Sequence, residues 1–271
     1  MSISLTYGCS VNISRQQLLT VTVEAGELAQ RSFRSLSAEQ VAYKSEIDLV
    51  TEIDHSVQSL LIDRLTRMCP GARVLAEEQQ EHRALTDEPT FIIDPIDGTT
   101  NFVHGVPHYC VSVAYAEEGE PILGAVSAPA LGEVFSSERG GGSYRNAERI
   151  TISPNGDPRR ALGCTGLFGD SRAGRAAAAE LMGRALDHLR DIRRMGAAAL
   201  DLCYVACGRF DLFWERGLNA WDIAAGMLIV REAGGRVSDV HGDTDGVMFS
   251  GSVVAANPQL HRWFMETVLR G

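Results

Sequence analysis

The stretch FIIDPIDGTTNFVHG, residues 91–105, holds the most specific pattern in the chain. A short apolar run leads into Asp94 and Asp97, which are separated by a proline and an isoleucine, and a glycine and two threonines follow directly. The apolar run predicts a buried strand, which should bring Asp94 to its carboxyl end, where ligands usually bind in α/β sheets. The segment therefore predicts a strand that leads directly into a polar site.

The residues around the second aspartate suit a metal ion and a phosphate together. Pro95 removes one amide donor and stiffens the turn, and the Ile96 carbonyl would lie between the two carboxylates as a third oxygen ligand for Mg²⁺. Gly98 allows the backbone to approach a ligand closely, while Thr99 and Thr100 begin a predicted short helix whose exposed amides favour an anion. A turn or helix cap is the alternative interpretation of Asp-x-x-Asp alone.

Two further acidic positions are consistent with a metal site. Glu77 and Glu78 follow the apolar run ARVLA just ahead of the DPIDGTT segment. Asp222 lies near the start of the apolar helix predicted from WDIAAG. The alternatives are a solvated loop for the glutamate pair and a helix-capping acid for Asp222.

The composition is that of a globular protein with a sizeable core. The chain has 271 residues, of which 45% are hydrophobic and 22% charged, and this size predicts one layered α/β domain over residues 1–271. The formal net charge of −10 and the lack of a basic tract argue against direct nucleic-acid binding. An acidic protein that acts on an anion needs metal ions to reverse the local charge.

The expected location is the cytoplasm, with no membrane contact. No apolar run approaches the roughly 18 residues of a membrane span, and the start MSISLTYGCSVNISRQQ lacks the basic region and apolar core of a signal peptide. The six cysteines form no Cys-x-x-Cys pair, which favours a reducing compartment. Cys203, Cys207, His104 and His108 are predicted to be core or loop residues rather than metal ligands.

Apolar periodicity predicts alternating groups of helices and strands. Helices are predicted over about 14–33 and roughly 55–68, and three strand-like runs between Tyr109 and Gly140 predict an antiparallel meander. Further predicted strands are ARVLA, PTFIID, DLFWE, GRVSDV and SVVAAN, and further predicted helices are RAAAAELMGRALDHL, AAALDLCYVACG, WDIAAGMLIVREAGG and PQLHRWFMETVLR. The stretches 79–90 and 153–175 have the weakest pattern. The aromatic residues of 210–221 are predicted to be core and interface residues rather than a base-stacking platform. This alternation predicts stacked α/β/α layers with room for a further α/β unit.

DPIDGTTNFVHG and WDIAAG together resemble the two signatures of the inositol monophosphatase family, the Mg²⁺-dependent, lithium-sensitive sugar phosphatases. The similarity extends through KSEIDLVTEID, LAEE, residues 121–150 and the segment RRMGAAALDLCYVACGRFDLFWERGLNAWDIAAG. The resemblance implies an α/β (α+β) fold of the layered αβαβα type, with mixed or antiparallel sheets between helix pairs. It also implies a homodimer.

The resemblance implies a metal site that holds two or three Mg²⁺ ions, or Mn²⁺ in their place. The residues that correspond to the family's metal ligands are Glu77, Asp94, Ile96 through its carbonyl, Asp97 and Asp222. One departure is Ala76, where the family usually has glycine, and this change leaves Glu77 in place.

The same resemblance implies hydrolysis by a metal-activated water, without a phosphoenzyme. Thr99 and Asp54, the last aspartate of DLVTEID, would pair to position and deprotonate the water, and Glu77 would take part through the metal. TEID before an apolar helix also predicts a helix cap, and the two roles of Asp54 are compatible.

The implied substrate contacts fall into a phosphate group and a polyol group. They are Gly98 and Thr99 near the phosphate, Gly196, Ala197 and Glu215 near the polyol, and Asp97 and Asp222, which contact the substrate as well as the metal. Many family members carry a hydroxyl residue at the position of Ala197, so a contact here would come from the backbone. A solvated acid at the end of a strand is the alternative for Glu215.

The sequence thus predicts a phosphomonoesterase for inositol monophosphate or a similar small sugar or polyol phosphate. Fructose bisphosphate, histidinol phosphate, NADP and 3′-phosphoadenosine 5′-phosphate, which relatives of the same fold hydrolyse, are the alternative substrates. A different alternative is a non-catalytic, protein-binding role in transcription or RNA processing, as in some bacterial members that resemble this chain.

Overall fold

The computed structural model describes residues 13–35, 41–43, 49–79, 87–166 and 172–270. Its helices are α1 (Arg15–Ser32), α2 (Glu52–Met68), α3 (Thr99–Val103), α4 (Arg172–Leu186), α5 (Ala198–Ala206), α6 (Ala220–Glu232) and α7 (Pro258–Trp263), which continues into a π-helical segment (Phe264–Leu269). Its strands are β1 (Val41–Tyr43), β2 (Leu49–Thr51), β3 (Arg73–Ala76), β4 (Thr90–Asp97), β5 (Cys110–Glu117), β6 (Glu120–Ala128), β7 (Glu133–Glu138), β8 (Gly142–Arg145), β9 (Glu148–Ile150), β10 (Leu162–Thr165), β11 (Asp191–Arg193), β12 (Leu212–Arg216), β13 (Arg236–Ser238) and β14 (Ser252–Ala256). Cys9 and residues 44–48 of KSEIDLVTEID lie outside the described residues.

The larger sheet has seven strands in the order β3-β4-β5-β6-β7-β8-β9. β3 and β4 are parallel, and each later pair is antiparallel. The predicted meander of β5, β6 and β7 is therefore confirmed, and it continues into two shorter strands that the sequence pattern did not indicate. A separate antiparallel pair, β1 and β2, precedes α2.

The smaller sheet has five strands in the order β11-β10-β12-β14-β13. β10 is parallel to both β11 and β12, whereas β14 is antiparallel to β12 and β13. β10 falls within the stretch 153–175, so the prediction of weak structure was wrong for Leu162–Thr165. Its four residues are too few to show a period, and strands on both sides supply its hydrogen bonds.

The elements stack in five layers. α1 and α2 cover one face of the seven-stranded sheet, α5 and α6 lie between the two sheets, and α4 and α7 cover the outer face of the five-stranded sheet. This αβαβα arrangement with mixed sheets confirms the predicted fold class.

Helix α6 is apolar on nearly all sides because it packs between two sheets. Its approach to β6 depends on Gly124, where a Cβ atom would lie 3.1 Å from the carbonyl oxygen of Ala225. The close contact fixes the position of α6, and Asp222 lies in the first turn of this helix.

Several local predictions can be compared with the structure. α2 begins at Glu52, slightly before its predicted start, because Thr51 caps the helix together with Asp54. Cys203 is buried and Cys207 is half-buried, as expected of core residues. The aromatic residues predicted to be core are indeed buried: Phe210, Phe213, Trp214 and Trp221.

Within the described ranges, none of the helices combines the length and the apolarity that a bilayer crossing requires.

Candidate metal and phosphate site

Three carboxylates converge between the seven-stranded sheet and the central helices. Asp94 and Asp97 come from β4 and Asp222 comes from α6, and one oxygen atom of each lies within 4.8 Å of the others. Asp94 and Asp97 are buried, and Asp222 is partly buried. The structure thus brings together three of the predicted metal ligands.

A bulge in β4 places two of these carboxylates on one face. β4 does not end at Asp94, as the sequence predicted, but runs on to Asp97. Asp94 pairs with Ser112 and Asp97 pairs with Cys110, so β4 has one residue more than β5 across this interval. Residues three apart on a regular strand point to opposite faces, and the extra residue brings both side chains to the same face.

Asp94 has a buried oxygen atom that needs a partner. Its Oδ1 has no hydrogen-bond donor among the described residues. Burial raises the pKa of Asp94 well above its ordinary value, and the nearby charges of Glu77, Asp97 and Asp222 raise it further. A divalent cation would bind this oxygen and offset the repulsion, so the residues present fit a hard metal ion.

The start of α5 holds the carboxylate of Asp97. The backbone N–H of Ala198 donates to Oδ1 at 3.1 Å, and the backbone N–H of Ala199 donates to Oδ2 at 2.7 Å. Burial raises the pKa of Asp97 to about 6, the charge of Asp201 adds to this rise, and the Ala199 amide opposes it. Two amides therefore orient this carboxylate within the cluster.

Asp222 serves the cluster and its own helix at once. It is the third residue of α6, and its Oδ2 accepts a 2.7 Å hydrogen bond from the backbone N–H of Asn219. Burial raises its pKa well above the ordinary value, and the charge of Asp97 raises it further. The prediction that Asp222 caps the helix is therefore confirmed, and the capping hydrogen bond fixes the position of its carboxylate in the cluster.

Glu77 lies beside the three-carboxylate cluster. It begins the short turn that follows β3, and its charge contributes to the raised pKa of Asp94. The parallel pairing of β3 with β4 brings the ends of the two strands together. Ala76, which replaces the family's usual glycine, is buried just before this turn.

Thr99 and Asp54 meet at the other side of the DPIDGTT segment. The Thr99 hydroxyl lies 3.0 Å from the carbonyl oxygen of Ile96 and 3.4 Å from Oδ1 of Asp54. Asp54 is buried, and its Oδ2 accepts hydrogen bonds from the backbone N–H of Thr51 at 2.8 Å and from the Thr51 hydroxyl at 2.5 Å. The predicted cap and the predicted pairing with Thr99 thus coexist.

Gly98 lies where this segment contacts the Gly196–Ala197 loop. Its φ of +89° suits glycine, and a Cβ atom there would lie 3.1 Å from both the Ala197 Cβ and the Gly196 carbonyl oxygen. The contact places the loop predicted to touch the polyol next to the segment predicted to touch the phosphate.

Glu215 is buried, with 3% of its surface exposed, so the solvated-acid alternative is wrong. It lies on β12 of the five-stranded sheet, and a Cβ atom at Gly166 would be 1.8 Å from its Oε1. Burial raises its pKa well above the ordinary value, the carboxylates of Asp201, Asp222 and Asp97 add to this rise, and Arg194 opposes it. Glu215 is thus electrostatically part of the same site.

Sequence reasoning missed a polar group beside the cluster. His108 is packed inside the protein, as predicted, whereas His104 is exposed in a loop. Nε2 of His108 lies 2.9 Å from Oδ1 of Asp201, a buried acid of α5. An aspartate within the apolar run AAALDLCYVACG was a usable signal, because a buried acid requires a partner.

A model of the inositol monophosphatase family matches residues 14–270. An inositol-1-monophosphatase from Mesorhizobium japonicum is 38% identical over 270 residues, which cover 94% of this chain and 97% of that protein. The Nus factor SuhB of Xylella fastidiosa is 39% identical, over 80% of this chain and 78% of that protein. Among solved structures, the extragenic suppressor protein suhB of Bartonella henselae has a TM-score of 0.87 at 32% identity, over 94% of this chain and 98% of that chain.

Proposed function

Because the chain belongs to the inositol monophosphatase family, we propose that it is a divalent-metal-dependent phosphomonoesterase for inositol monophosphate or a similar small sugar or polyol phosphate. The family supports the class of phosphatase, and one observation of the site supports the metal dependence. Asp94, Asp97 and Asp222 offer oxygen atoms within 4.8 Å of one another, and a buried oxygen of Asp94 lacks a donor among the described residues.

The proposed ligands are all oxygen atoms, which suit Mg²⁺ or Mn²⁺. They are the carboxylates of Glu77, Asp94, Asp97 and Asp222 and the carbonyl of Ile96, and we propose that they hold two or three ions, as in two-metal phosphatases. When bound, these ions supply positive charge for the phosphate, lower the pKa of a water molecule and stabilise the departing oxygen.

Thr99 and Asp54 are proposed to hold the attacking water. The single hydroxyl proton of Thr99 is directed to Ile96 or Asp54, so the Thr99 oxygen can accept a hydrogen bond from water. Asp54 is the acceptor for the proton that the water loses, and Thr51 keeps its carboxylate in place. No covalent phosphoenzyme is required in this scheme.

The phosphate is proposed to lie against Gly98 and Thr99, and Asp97 and Asp222 are proposed to contact the substrate beside their bound metal ions. Gly98 has no side chain to block this approach, and the backbone turns there into α3. The net effect of the carboxylates on an anion is repulsive until cations are bound, which makes substrate binding dependent on metal.

The polyol is proposed to contact Glu215 and the Gly196–Ala197 loop. Glu215 is buried beside Gly166, and its carboxyl group can form a hydrogen bond with a substrate hydroxyl. At Ala197 only backbone atoms can serve as polar contacts.

A substrate panel tests this proposal. The protein would be assayed for phosphate release from inositol 1-phosphate, fructose 1,6-bisphosphate, histidinol phosphate, NADP and 3′-phosphoadenosine 5′-phosphate, with Mg²⁺ or Mn²⁺. Asp97→Asn should lower kcat at least about 100-fold by disturbing a metal ligand, whereas Asp191→Asn, which changes an exposed acid paired with Arg193, should not. No phosphate release by the unmodified protein from any substrate would refute the proposal.

A protein-binding role is the second candidate, and it is favoured by the similarity to a Nus factor of Xylella fastidiosa. The Asp97→Asn protein separates the two roles. The test expresses the Asp97→Asn protein in cells that lack the unmodified protein and show a defect that depends on a binding partner. If the variant corrects this defect while releasing no phosphate, the binding role is independent of catalysis.

The remaining family expectations are proposed here as well. They are one domain over the whole chain, a homodimer, a cytoplasmic location and inhibition by lithium. Sedimentation analysis of the full chain tests the dimer, and lithium added to the Mg²⁺ assay tests the inhibition.

A further inference from the structure

The buried pair His108–Asp201 stands outside the proposed set of ligands. Nε2 of His108 and Oδ1 of Asp201 are 2.9 Å apart, and the residues are 5% and 1% exposed. Burial raises the pKa of Asp201, and His108, the Cys164 thiol and the Gly196 amide oppose this rise. Asp201 is therefore the centre of a small polar network inside the protein.

Asp201 lies in the first turn of α5, the same turn whose backbone amides hold Asp97. The backbone N–H of Asp201 donates to the Ala197 carbonyl at 2.9 Å, which closes the first turn of α5. The next two residues after Ala197, Ala198 and Ala199, donate their amides to the two oxygens of Asp97. A hydrogen bond that holds the Asp201 side chain in place therefore also fixes the position of the Ala198 and Ala199 amides.

His108 is itself tied to the same junction. The side-chain amide of Asn101 in α3 donates to the His108 carbonyl at 2.7 Å and to the Met195 carbonyl at 2.8 Å. At Gly98, a Cβ atom would lie 3.2 Å from the His108 carbonyl oxygen and 3.1 Å from that of Gly196. The segments that contain Gly98, His108 and Gly196 are thus tightly packed against one another.

We propose that His108 and Asp201 are positioning residues, whose hydrogen bond anchors the start of α5 so that its first two amides hold Asp97 in the orientation that binds the metal ion. The inference rests on the proposed metal site, and it adds two residues that do not touch the ion. An apolar pair could fill the same space without the cost of a buried acid, so the presence of a hydrogen-bonded pair here favours a role in orientation.

The test measures Mn²⁺ binding by titration calorimetry on the full chain after removal of metal with a chelator. His108→Phe keeps a ring but removes the donor, and His108→Gln keeps an N–H donor. Loss of a group that hydrogen-bonds a metal ligand directly typically weakens binding about 10- to 100-fold. His108 acts one step further away, through Asp201 and the start of α5, so we expect a loss of about 10-fold for His108→Phe. His108→Gln should recover affinity to within about threefold of the unmodified protein, because the donor is restored.

His261→Phe is the matched control. His261 is also buried, and its Nε2 lies 2.8 Å from the hydroxyl of Ser238 in β13, an edge strand of the five-stranded sheet, whereas Asp97 belongs to β4 of the seven-stranded sheet. This variant should lose thermal stability as His108→Phe does, yet retain the Mn²⁺ affinity. Equal weakening of Mn²⁺ binding in both variants would assign the effect to general destabilisation and overturn the proposal.

A double variant covers the case in which His108→Phe does not fold because Asp201 is left unpaired. His108→Phe with Asp201→Leu removes both partners, which avoids a buried unpaired acid. It should fold and still bind Mn²⁺ weakly, and affinity equal to that of the unmodified protein would overturn the proposal. If the unmodified protein itself binds no Mn²⁺, the proposed function fails first, so the two failures are distinguishable.

Discussion

The carboxylates of Asp94 and Asp222 approach within 4.8 Å of each other, although one comes from strand β4 and the other from helix α6. Burial and neighbouring carboxylates raise the pKa values of both groups well above their ordinary range. Like charges this close in a buried site repel each other. Repulsion within the metal-free site therefore lowers the free energy of unfolding, and a bound divalent cation would offset this repulsion.

Asp94→Asn should stabilise the metal-free protein and abolish its stabilisation by metal. The substitution removes one charge from the repelling cluster, so the Tm without metal should equal or exceed that of the unmodified protein. Mg²⁺ should raise the Tm of the unmodified protein by mass action and have little effect on the variant. Differential scanning calorimetry with and without Mg²⁺ measures both effects. Asp191→Asn is the control, and a Mg²⁺-dependent rise in Tm retained by Asp94→Asn would exclude Asp94 as a ligand.

Metal affinity should fall as the solution becomes more acidic. Asp97 has a folded-state pKa of about 6, against about 3.9 in an unfolded chain, so the folded state holds the proton more tightly. This group therefore stabilises the metal-free protein below about pH 4, and the contribution is lost as the pH rises to about 6. Mn²⁺ must displace this proton, and protons on Asp94 and Asp222 add to the effect, so its affinity should decrease at least about tenfold between pH 7 and pH 5. Calorimetric titrations across this range test the effect, and affinity independent of pH would contradict it.

Gly98→Ala should destabilise the protein more than Gly119→Ala does. Both glycines have positive φ, +89° and +77°, so both substitutions carry the backbone cost of roughly 1–2 kcal/mol. Only the Cβ at position 98 would meet close neighbours, at 3.1 Å, whereas nothing lies within 4 Å of the Cβ at position 119. Urea unfolding should show a further loss of about 1 kcal/mol or more at position 98. Phosphatase activity should decrease only for Gly98→Ala, and equal losses in both variants would exclude a specific contact.

Glu215→Gln should change substrate preference more than metal binding. The variant keeps the size of the side chain and loses the carboxylate that is proposed to contact a polyol hydroxyl. The KM for inositol 1-phosphate should rise about tenfold, as for loss of a charged hydrogen bond, while the KM for p-nitrophenyl phosphate, which lacks hydroxyls, should change less. Steady-state kinetics with Glu148→Gln, an exposed acid, as control measures this split. An equal rise for both substrates would place Glu215 with the phosphate or the metal.

The layered fold and the carboxylate cluster could be predicted because their signals are local. DPIDGTT contains two cluster residues and the turn after them, and α6 and α1 show apolar patterns over several turns. β10 could not be predicted, since its four residues gain their hydrogen bonds from β11 and β12, which lie far along the chain. The bulge between Asp94 and Asp97 was also missed, because it is defined by the register of β5.

Other parts of the site depend on contacts that one sequence does not reveal. Glu215 was open to two interpretations, because burial of an acid at the end of a strand is decided by Gly166 on another segment. His108 and Asp201 were each unremarkable alone, and only the folded chain brings them to 2.9 Å. Family resemblance, rather than periodicity, supplied the pairing of Thr99 with Asp54.

The placement of α5 and α6 between the sheets has a consequence for the order of events during synthesis on the ribosome. Asp94 and Asp97 emerge early, whereas the amides of Ala198 and Ala199 and the carboxylate of Asp222 emerge more than a hundred positions later. A nascent chain that ends before these helices has two close acids and neither of their later partners. Binding of the divalent cation is therefore expected late in folding, when α5 and α6 pack between the five-stranded and seven-stranded sheets.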